Sequence, residues 1–213
     1  MNANDEQIRE AIHRKILRLH HMAPDTLVVD ELGIRHGSCR ADIAVINGRL
    51  VGYEIKSDKD SLRRLGRQVR TYDAVFDSVT IVVGVRFVYG IRRRIPSHWG
   101  IVVATVGKRG AINFATLRRP RANPRVDLLS VAQLLWRAEA LKLALATKAS
   151  GTCIVNKRRQ QVYEYLVANC AADVLRSEVR SCLRNRSGWR DRRRSSQGAD
   201  SFRLGATLGG RPV

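Results

Sequence analysis

The sequence predicts an α/β protein in which helices flank a mixed central sheet, with a small helical appendage near the C-terminus. Two observations predict this class. Helical and strand periodicities alternate along the first 120 residues, and the periodicity of later segments is helical only. A chain of 213 residues can also enclose one core of ordinary size. We therefore expect a main domain over residues 1–120, a helical subdomain over 127–187 and a basic, mobile tail over 188–213.

The spacing of apolar residues places each element along the chain. Apolar positions three and four apart predict helices, and β-branched or apolar runs predict strands. The Asn47-Gly48 pair is a turn signal between two strands, and Asp60 stands where it would cap the second helix. In chain order the predicted elements are a helix over 8–19, strands over 27–32, 41–46 and 50–55, a helix over 60–76, strands over 79–85, 100–106 and 111–117, a linker over 118–125, and helices over 128–146, 157–168 and 173–183.

The charge balance predicts a polyanionic partner. Lys and Arg number 39 against 19 Asp and Glu, which gives a formal net charge of +20. Such an excess repels itself unless a polyanion compensates it, so nucleic acid is the expected partner, although a generally basic proteome would account for the composition as well. The charge therefore predicts a binding partner but does not identify a reaction.

Hydropathy and cysteine content favour a soluble, cytoplasmic protein without a membrane partner. No apolar run approaches the roughly 20 residues that cross a bilayer, and no export signal is evident at the N-terminus. The four cysteines lack the short paired spacings of a zinc site, so we expect buried free thiols. An iron–sulfur cluster is a less favoured alternative, because the cysteines are widely spread. They are Cys39, Cys153, Cys170 and Cys182.

Three charged residues within predicted strands are the candidate catalytic group. Glu54 and Lys56 alternate with apolar neighbours, so they share one face of their strand. Asp42, in the preceding strand, joins that face only if an odd number of residues connects the two strands. We therefore predict a three-residue connection, Ile46-Asn47-Gly48, with Gly48 in the left-handed conformation.

Two carboxylates on adjacent strands are suited to Mg²⁺ or Mn²⁺. These ions bind a few carboxylates together with water and substrate phosphate, and the Ile55 carbonyl would be a further ligand beside Asp42 and Glu54. Lys56 would orient the attacking water or stabilise charge in the transition state. Hydrolysis of a phosphodiester is the reaction that such a group serves. A surface ion pair on an edge strand is the alternative, since this spacing also arises by chance.

A resemblance to a known superfamily supports the catalytic interpretation. Asp42, then Glu54-Ile55-Lys56, followed by a helix carrying Gln68 and Tyr72, resembles the PD-(D/E)XK nucleases and their RecB-like branch, which has a Gln-x-x-x-Tyr motif. Over about residues 27–105 the chain is most similar to a little-characterised bacterial family of that type. It departs in having alanine where the superfamily's named proline stands. The segments that carry the closer similarity are Arg40-Ala41-Asp42-Ile43-Ala44, Gly52-Tyr53-Glu54-Ile55-Lys56-Ser57-Asp58, Asp60-Ser61-Leu62, Arg64-Leu65, and Gln68 with Tyr72.

The resemblance implies a restriction-endonuclease-like fold and metal-dependent cleavage of DNA. Gln68 and Tyr72 would contact the substrate or the catalytic carboxylates, while the plainer interpretation is the flank of a helix with one core aromatic. Glu31 would be an additional carboxylate; Glu10 on the first helix is the other option, although it falls opposite the apolar stripe of that helix. Arg40 would hold a phosphate or pair with Glu31, and Arg64 would be a further contact to nucleic acid. The exposed Arg92, Arg93 and Arg94 would add attraction to phosphates.

Two other function classes stay open at this point. A binding module with the nuclease fold but without catalysis would act in repair, defence or regulation. An RNA-associated basic protein would account for the charge but not for two carboxylates within apolar strands. The sequence also leaves open whether the chain forms a homodimer or binds another protein.

Overall fold

A computed structural model describes residues 3–147 and 154–186. Its centre is a six-stranded mixed sheet in which the strands lie in the same order as in the chain. Strands β1, β2 and β3 pair antiparallel, β3, β4 and β5 pair parallel, and β6 returns antiparallel to β5. The strands are β1 (Leu27–Ile34), β2 (Cys39–Ile46), β3 (Leu50–Lys56), β4 (Ser78–Gly84), β5 (Gly100–Val106) and β6 (Ile112–Arg118).

Helices cover both faces of this sheet, so the predicted mixed α/β class is confirmed. The helices are α1 (Asp5–Lys15), α2 (Arg18–Met22), α3 (Leu65–Val75), α4 (Val88–Ile91), α5 (Leu128–Ala132), α6 (Arg137–Ala146), α7 (Arg159–Asn169) and α8 (Ala172–Asn185). The first predicted helix divides into α1 and α2, and the predicted helix over 128–146 divides into α5 and α6. Periodicity alone does not detect these breaks because apolar spacing continues across them.

The two faces of the sheet bury different clusters. Helix α1 packs Ile8 and Ile12 on one face, against Val45 and Ile55 of the strands. The opposite face is covered by α3 and by the C-terminal helices, whose apolar side chains form one continuous cluster with the strands. Helices α5 to α8 therefore share their core with the sheet. The segment between β6 and α5 is tied to the C-terminal end of α3, since the Asn123 amide donates to the carbonyls of Asp73 and Phe76.

The β2–β3 hairpin has the register that the candidate site requires. Ile43 pairs with Tyr53 and Ile46 with Leu50, so three residues connect the strands and the odd-numbered connection is confirmed. The residues involved differ from the prediction: Asn47, Gly48 and Arg49 form the loop, and Gly48 is not among the residues with positive φ. The Asn47 amide instead donates to the Arg49 carbonyl, which closes the turn.

The predicted cap of the second helix is wrong. Helix α3 begins at Leu65, its N-cap is Arg64, and no side chain caps it. The Asp60 carboxylate instead accepts hydrogen bonds from the backbone and hydroxyl of Ser57, at 2.7 and 2.8 Å. A local turn after β3 thus competes successfully with helix capping for this side chain.

The remaining predictions concern membrane-spanning helices, the cysteines and the tail. None of the described helices is long and apolar enough to cross a bilayer. Cys39, Cys170 and Cys182 are free and half-buried, rather than buried as predicted. Cys153 and the predicted tail over 188–213 lie outside the described residues.

Candidate active site

The Glu54 carboxylate lies at the centre of the candidate site and is fully buried. It projects from β3 toward α3, on the face opposite α1. The Lys56 ammonium donates to its Oε1 atom at 2.5 Å, and the Gln68 amide donates to the same oxygen. The Tyr72 hydroxyl donates to Oε2. Three donors from a strand and a helix therefore compensate the burial of this charge.

Asp42 reaches the same point from β2. Its Oδ2 atom accepts a hydrogen bond from the Ile55 amide at 2.7 Å, and its own amide donates to the Tyr72 hydroxyl at 3.1 Å. Continuation of the β2–β3 register places Asp42 opposite Glu54. Asp42, Glu54 and Lys56 thus meet on one face, as the sequence predicts, and Gln68 and Tyr72 join them from α3.

Burial makes the negative charge of Asp42 costly. Burial, followed by the charge of Glu54, raises the pKa of Asp42 to about 7, and a backbone hydrogen bond and the nearby cations Lys56 and Arg9 oppose this shift only partly. The same causes, burial first, raise the pKa of Tyr72 well above its usual value, so this hydroxyl stays protonated and able to donate. Burial and the neighbouring carboxylate therefore favour the binding of a proton or a cation at Asp42.

One buried acceptor at the site has no partner. The Gln68 amide nitrogen binds Glu54, whereas the Gln68 Oε1 atom is buried and accepts no hydrogen bond within the described part of the chain. An orphaned buried acceptor costs free energy of about 1–3 kcal/mol unless a bound water or cation satisfies it. This atom and the raised pKa of Asp42 fit a hydrated divalent cation held by Asp42 and Glu54.

The backbone of Ile55 faces β2. The N–H and C=O groups of one strand residue point toward the same neighbouring strand. Since the Ile55 amide binds Asp42, its carbonyl points to that side too, beyond the last β2–β3 pair, Ile43 with Tyr53. Among residues 3–147 and 154–186, however, no three His, Cys, Asp or Glu side chains form a group that could hold a metal ion by themselves. Carbonyl, water or phosphate oxygens would have to complete the coordination.

Arg9 is a site residue that the sequence reasoning missed. From α1 it donates to the Asp42 carbonyl at 2.8 Å, lies 3.6 Å from the Asp42 carboxylate, and pairs with Glu31 at 2.9 Å. Arg9 precedes buried Ile12 and His13 by three and four residues, so it lies beside the buried face of the helix. That position was the available signal, but which strand α1 contacts depends on tertiary packing.

Glu31 and Arg40 lie beside the site and bind each other. The Arg40 guanidinium is 3.2 Å from the Glu31 carboxylate and is largely exposed. Glu31 adopts a left-handed conformation, with φ of 58°, at the position opposite Asp42 in the β1–β2 ladder. Of the two roles considered for Arg40, the structure shows the ion pair with Glu31. Glu31 is connected to Asp42 through Arg9.

The remaining predicted arginines lie on the same face of the sheet as the carboxylates. Arg64 is exposed at the start of α3, one turn before Gln68. Arg92, Arg93 and Arg94 are exposed in the segment between buried Ile91 and Ile95. Burial, followed by the charges of Arg92 and Arg121, lowers the pKa of Arg118, so these three guanidinium groups form one basic surface.

Comparison with known proteins assigns the family. The family model described as "Bacteriophage P4 protein cII" matches residues 2–197. The chain belongs to the bacteriophage P4 protein cII family. A curated relative, "Protein cII" of Enterobacteria phage P4, is 28% identical over 165 residues, which are 78% of this chain and 61% of that protein. The chain thus spans about three fifths of the relative's length. No solved structure matches this cII-family chain.

Proposed function

We propose that this cII-family protein is a metal-dependent nuclease that hydrolyses phosphodiester bonds of DNA, with a restriction-endonuclease-like arrangement of the sheet. The observation that carries the proposal is the convergence of Asp42, Glu54 and Lys56. The Asp42 carboxylate binds the Ile55 amide at 2.7 Å, and the Lys56 ammonium lies 2.5 Å from the Glu54 carboxylate. The order of these residues along two adjacent strands is also that of the PD-(D/E)XK motif.

Each residue has a distinct role in this proposal. Asp42, Glu54 and the Ile55 carbonyl would hold Mg²⁺ or Mn²⁺. When bound, the ion lowers the pKa of a water ligand and offsets negative charge on the scissile phosphate. Lys56 leaves Glu54 to orient the attacking water or to stabilise developing charge. Gln68 and Tyr72 hold the Glu54 carboxylate in place from α3.

Substrate binding relies on the basic residues around this site. Arg64 is exposed one turn before Gln68 on α3, Arg92 belongs to the basic surface with Arg118 and Arg121, and Arg93 and Arg94 are its exposed chain neighbours. These groups attract phosphates without regard to sequence, so binding should weaken steeply as salt is added. Arg40 would leave Glu31 to contact a phosphate, because the exposed ion pair of these two residues contributes little stability by itself.

A non-catalytic nucleic-acid-binding module with the same fold is the second candidate, and one observation favours it. Glu54 is fully buried, and both of its oxygens already have donors from Lys56, Gln68 and Tyr72. A metal ion would have to join or displace these donors. If this closed arrangement persists when nucleic acid is bound, the protein would act through binding alone.

Cleavage assays with the full chain separate the two candidates. End-labelled single-stranded and duplex DNA are incubated with Mg²⁺, Mn²⁺ or EDTA, and both length and retention of the DNA are measured. The nuclease proposal predicts shortening with either ion and none with EDTA. Asp42→Asn should abolish shortening while retention stays within about twofold, since it preserves shape and the Ile55 contact.

The matched control is Asp30→Asn, which alters a β1 carboxylate that binds His13 on the other sheet face. This variant should cleave like the unmodified protein. Retention of full-length DNA with every ion would assign the protein to the binding class. Loss of retention by a folded Asp42→Asn variant would contradict the role given to Asp42.

A further inference from the structure

An exposed tryptophan lies beside a basic cavity away from the carboxylates. Trp136, which precedes α6, is 60% exposed, although a side chain of this size is usually well covered. It lines a cavity of about 510 Å³ between the β1–β2 turn and helices α6 and α7. Its basic lining residues are His36, Arg137, Arg159 and Arg186, and none of the described residues that line it is acidic.

Two arginines of the cavity are available to bind an anion. Arg137 and Arg159 are both exposed, and neither forms an ion pair with a carboxylate in the ranges 3–147 and 154–186. Arg137 donates to the carbonyls of Val155 and Lys157, which holds its side chain at the rim, and Arg159 contacts the His36 ring at 3.4 Å. Guanidinium groups without acidic partners suit phosphate oxygens.

The cavity is preformed. The His36 ring stacks on buried Tyr163 with 5.8 Å between centroids, and the Tyr163 hydroxyl donates to the Leu135 carbonyl at 2.8 Å. Arg35 and His36 adopt positive φ values of 49° and 56°, a conformation that costs non-glycine residues free energy and that clusters at ligand sites. The Arg186 guanidinium lies over one face of the Trp136 ring, 4.4 Å from its centroid, and holds the indole in place.

The cavity and the carboxylates lie along the same strand. Gly37 in the β1–β2 turn lines the cavity, and Asp42 is five residues further along the chain in β2. At about 3.3 Å per residue, the two positions are roughly 15 Å apart. Arg67, next to Gln68 on α3, also contacts the Ser38 carbonyl of this turn at 3.4 Å. A nucleic-acid strand held at the carboxylates could therefore continue into the cavity.

We propose that this cavity is a subsite for an unpaired nucleotide, whose base stacks on Trp136 and whose phosphate binds Arg137 and Arg159. The inference rests on the proposed function for its substrate class, and it specifies that the substrate is single-stranded or locally melted. An aromatic face accepts any base, whereas a paired base inside a duplex has no free face to offer. Arg137 and Arg159 would then fix the position of the strand relative to the carboxylates.

Binding measurements without metal ions test the subsite separately from catalysis. Fluorescein-labelled oligothymidylate and a duplex of equal length are titrated with the full chain in EDTA, and anisotropy is recorded. Trp136→Ala should weaken oligothymidylate binding about 5- to 100-fold and duplex binding less than twofold. Trp136→Phe should restore most of the affinity. Arg159→Ala should reduce the salt slope for oligothymidylate by about 0.7.

The control is Leu19→Ala, which removes another exposed apolar side chain from the N-terminal helices. It should leave both affinities unchanged. Equal losses for both nucleic acids, or a Trp136→Ala effect no larger than that of Leu19→Ala, would overturn the proposal. Displacement of oligothymidylate by equimolar thymidine monophosphate would assign the cavity to free nucleotides and overturn it too. Because EDTA prevents cleavage, absence of nuclease activity would not alter these results.

Discussion

Two buried carboxylates, Glu54 beside α3 and Asp73 within it, have different partners. Glu54 is joined by a second carboxylate, Asp42, and by the unpartnered Gln68 oxygen. In the Asp73 cluster the carboxylate accepts from the Trp99 indole at 2.6 Å, contacts the His98 ring at 2.9 Å and lies 3.8 Å from the Arg125 guanidinium. These contacts tie α3 to the segment before β5. The Glu54 cluster combines two carboxylates with an unpartnered acceptor, which is expected of a site that binds a cation.

The largest expected effect is the loss of catalysis in Lys56→Ala. Removal of the ammonium beside Glu54 should lower the cleavage rate by at least about 100-fold, because a positioned donor at the reacting phosphate contributes that much or more. Cleavage and DNA retention are measured together, and retention should change less than twofold. Lys15→Ala is the matched control, since Lys15 lies on α1 and donates to the Ile112 carbonyl. Comparable cleavage by the two variants would contradict the role of Lys56.

Removal of the Asp73 carboxylate should lower the stability of the fold. Asp73→Ala leaves the buried Trp99 indole and His98 ring without their acceptor, so the free energy of unfolding should fall by about 2–4 kcal/mol. Urea denaturation followed by circular dichroism measures this change. A loss below about 0.5 kcal/mol would show that Asp73 does not stabilise the packing of α3, and the contrast between the clusters would fail.

Asp42→Asn should raise the free energy of unfolding of the metal-free protein, whereas Asp73→Ala should lower it. The folded pKa of Asp42 is about 7 and its usual value is 3.8, so the folded state retains a proton that the unfolded state loses between these values. The stabilising contribution of this proton is complete below about pH 4 and is lost as pH rises through 7. Asparagine carries no titrating proton, so the variant does not lose this stability as pH rises.

The variant should therefore be more stable than the unmodified protein above pH 7, by on the order of 1–3 kcal/mol, with no gain near pH 4. Denaturant unfolding in EDTA across pH 4–8 tests this dependence. A gain that does not vary with pH, or a destabilised variant at pH 8, would show that Asp42 is not protonated preferentially in the folded state. Added Mg²⁺ should reverse the order of stability, because only the carboxylate binds it well.

The smallest expected effect concerns the basic surface. Arg92→Ala with Arg93→Ala should weaken DNA binding several-fold at moderate salt and reduce the slope of log affinity against log salt by about 1–2, if each arginine neutralises one phosphate. The control is Arg14→Ala with Arg18→Ala, which removes two exposed charges from α1 and α2. Equal slopes for the two double variants would mean that binding follows net charge and not this surface.

The sequence predicts the centre of the site because strand alternation, turn length and helical spacing determine where these side chains lie. Alternation along β3 fixes the common face of Glu54 and Lys56, and the odd-numbered turn adds Asp42. The spacing of Gln68 and Tyr72 places both on one side of α3, toward the carboxylates. The strands and the mixed α/β class follow from the same periodicities.

The remaining features depend on tertiary packing and on competition between local interactions. Arg9 reaches Asp42, 33 residues away in sequence, only because α1 packs on the sheet. Asp60 binds Ser57 in preference to capping α3. The low aromatic content, 6%, gave no indication that Trp136 would be exposed beside arginines, because exposure depends on how α6 packs.

The most direct test of the central claim is the position of a divalent ion. Crystals of the full chain soaked in Mn²⁺ should give an anomalous difference peak within about 2.5 Å of an oxygen of both Asp42 and Glu54, and Asp42→Asn crystals should lack it. A peak elsewhere on the protein, or no peak at these carboxylates at millimolar Mn²⁺, would contradict a metal-dependent active site at this position.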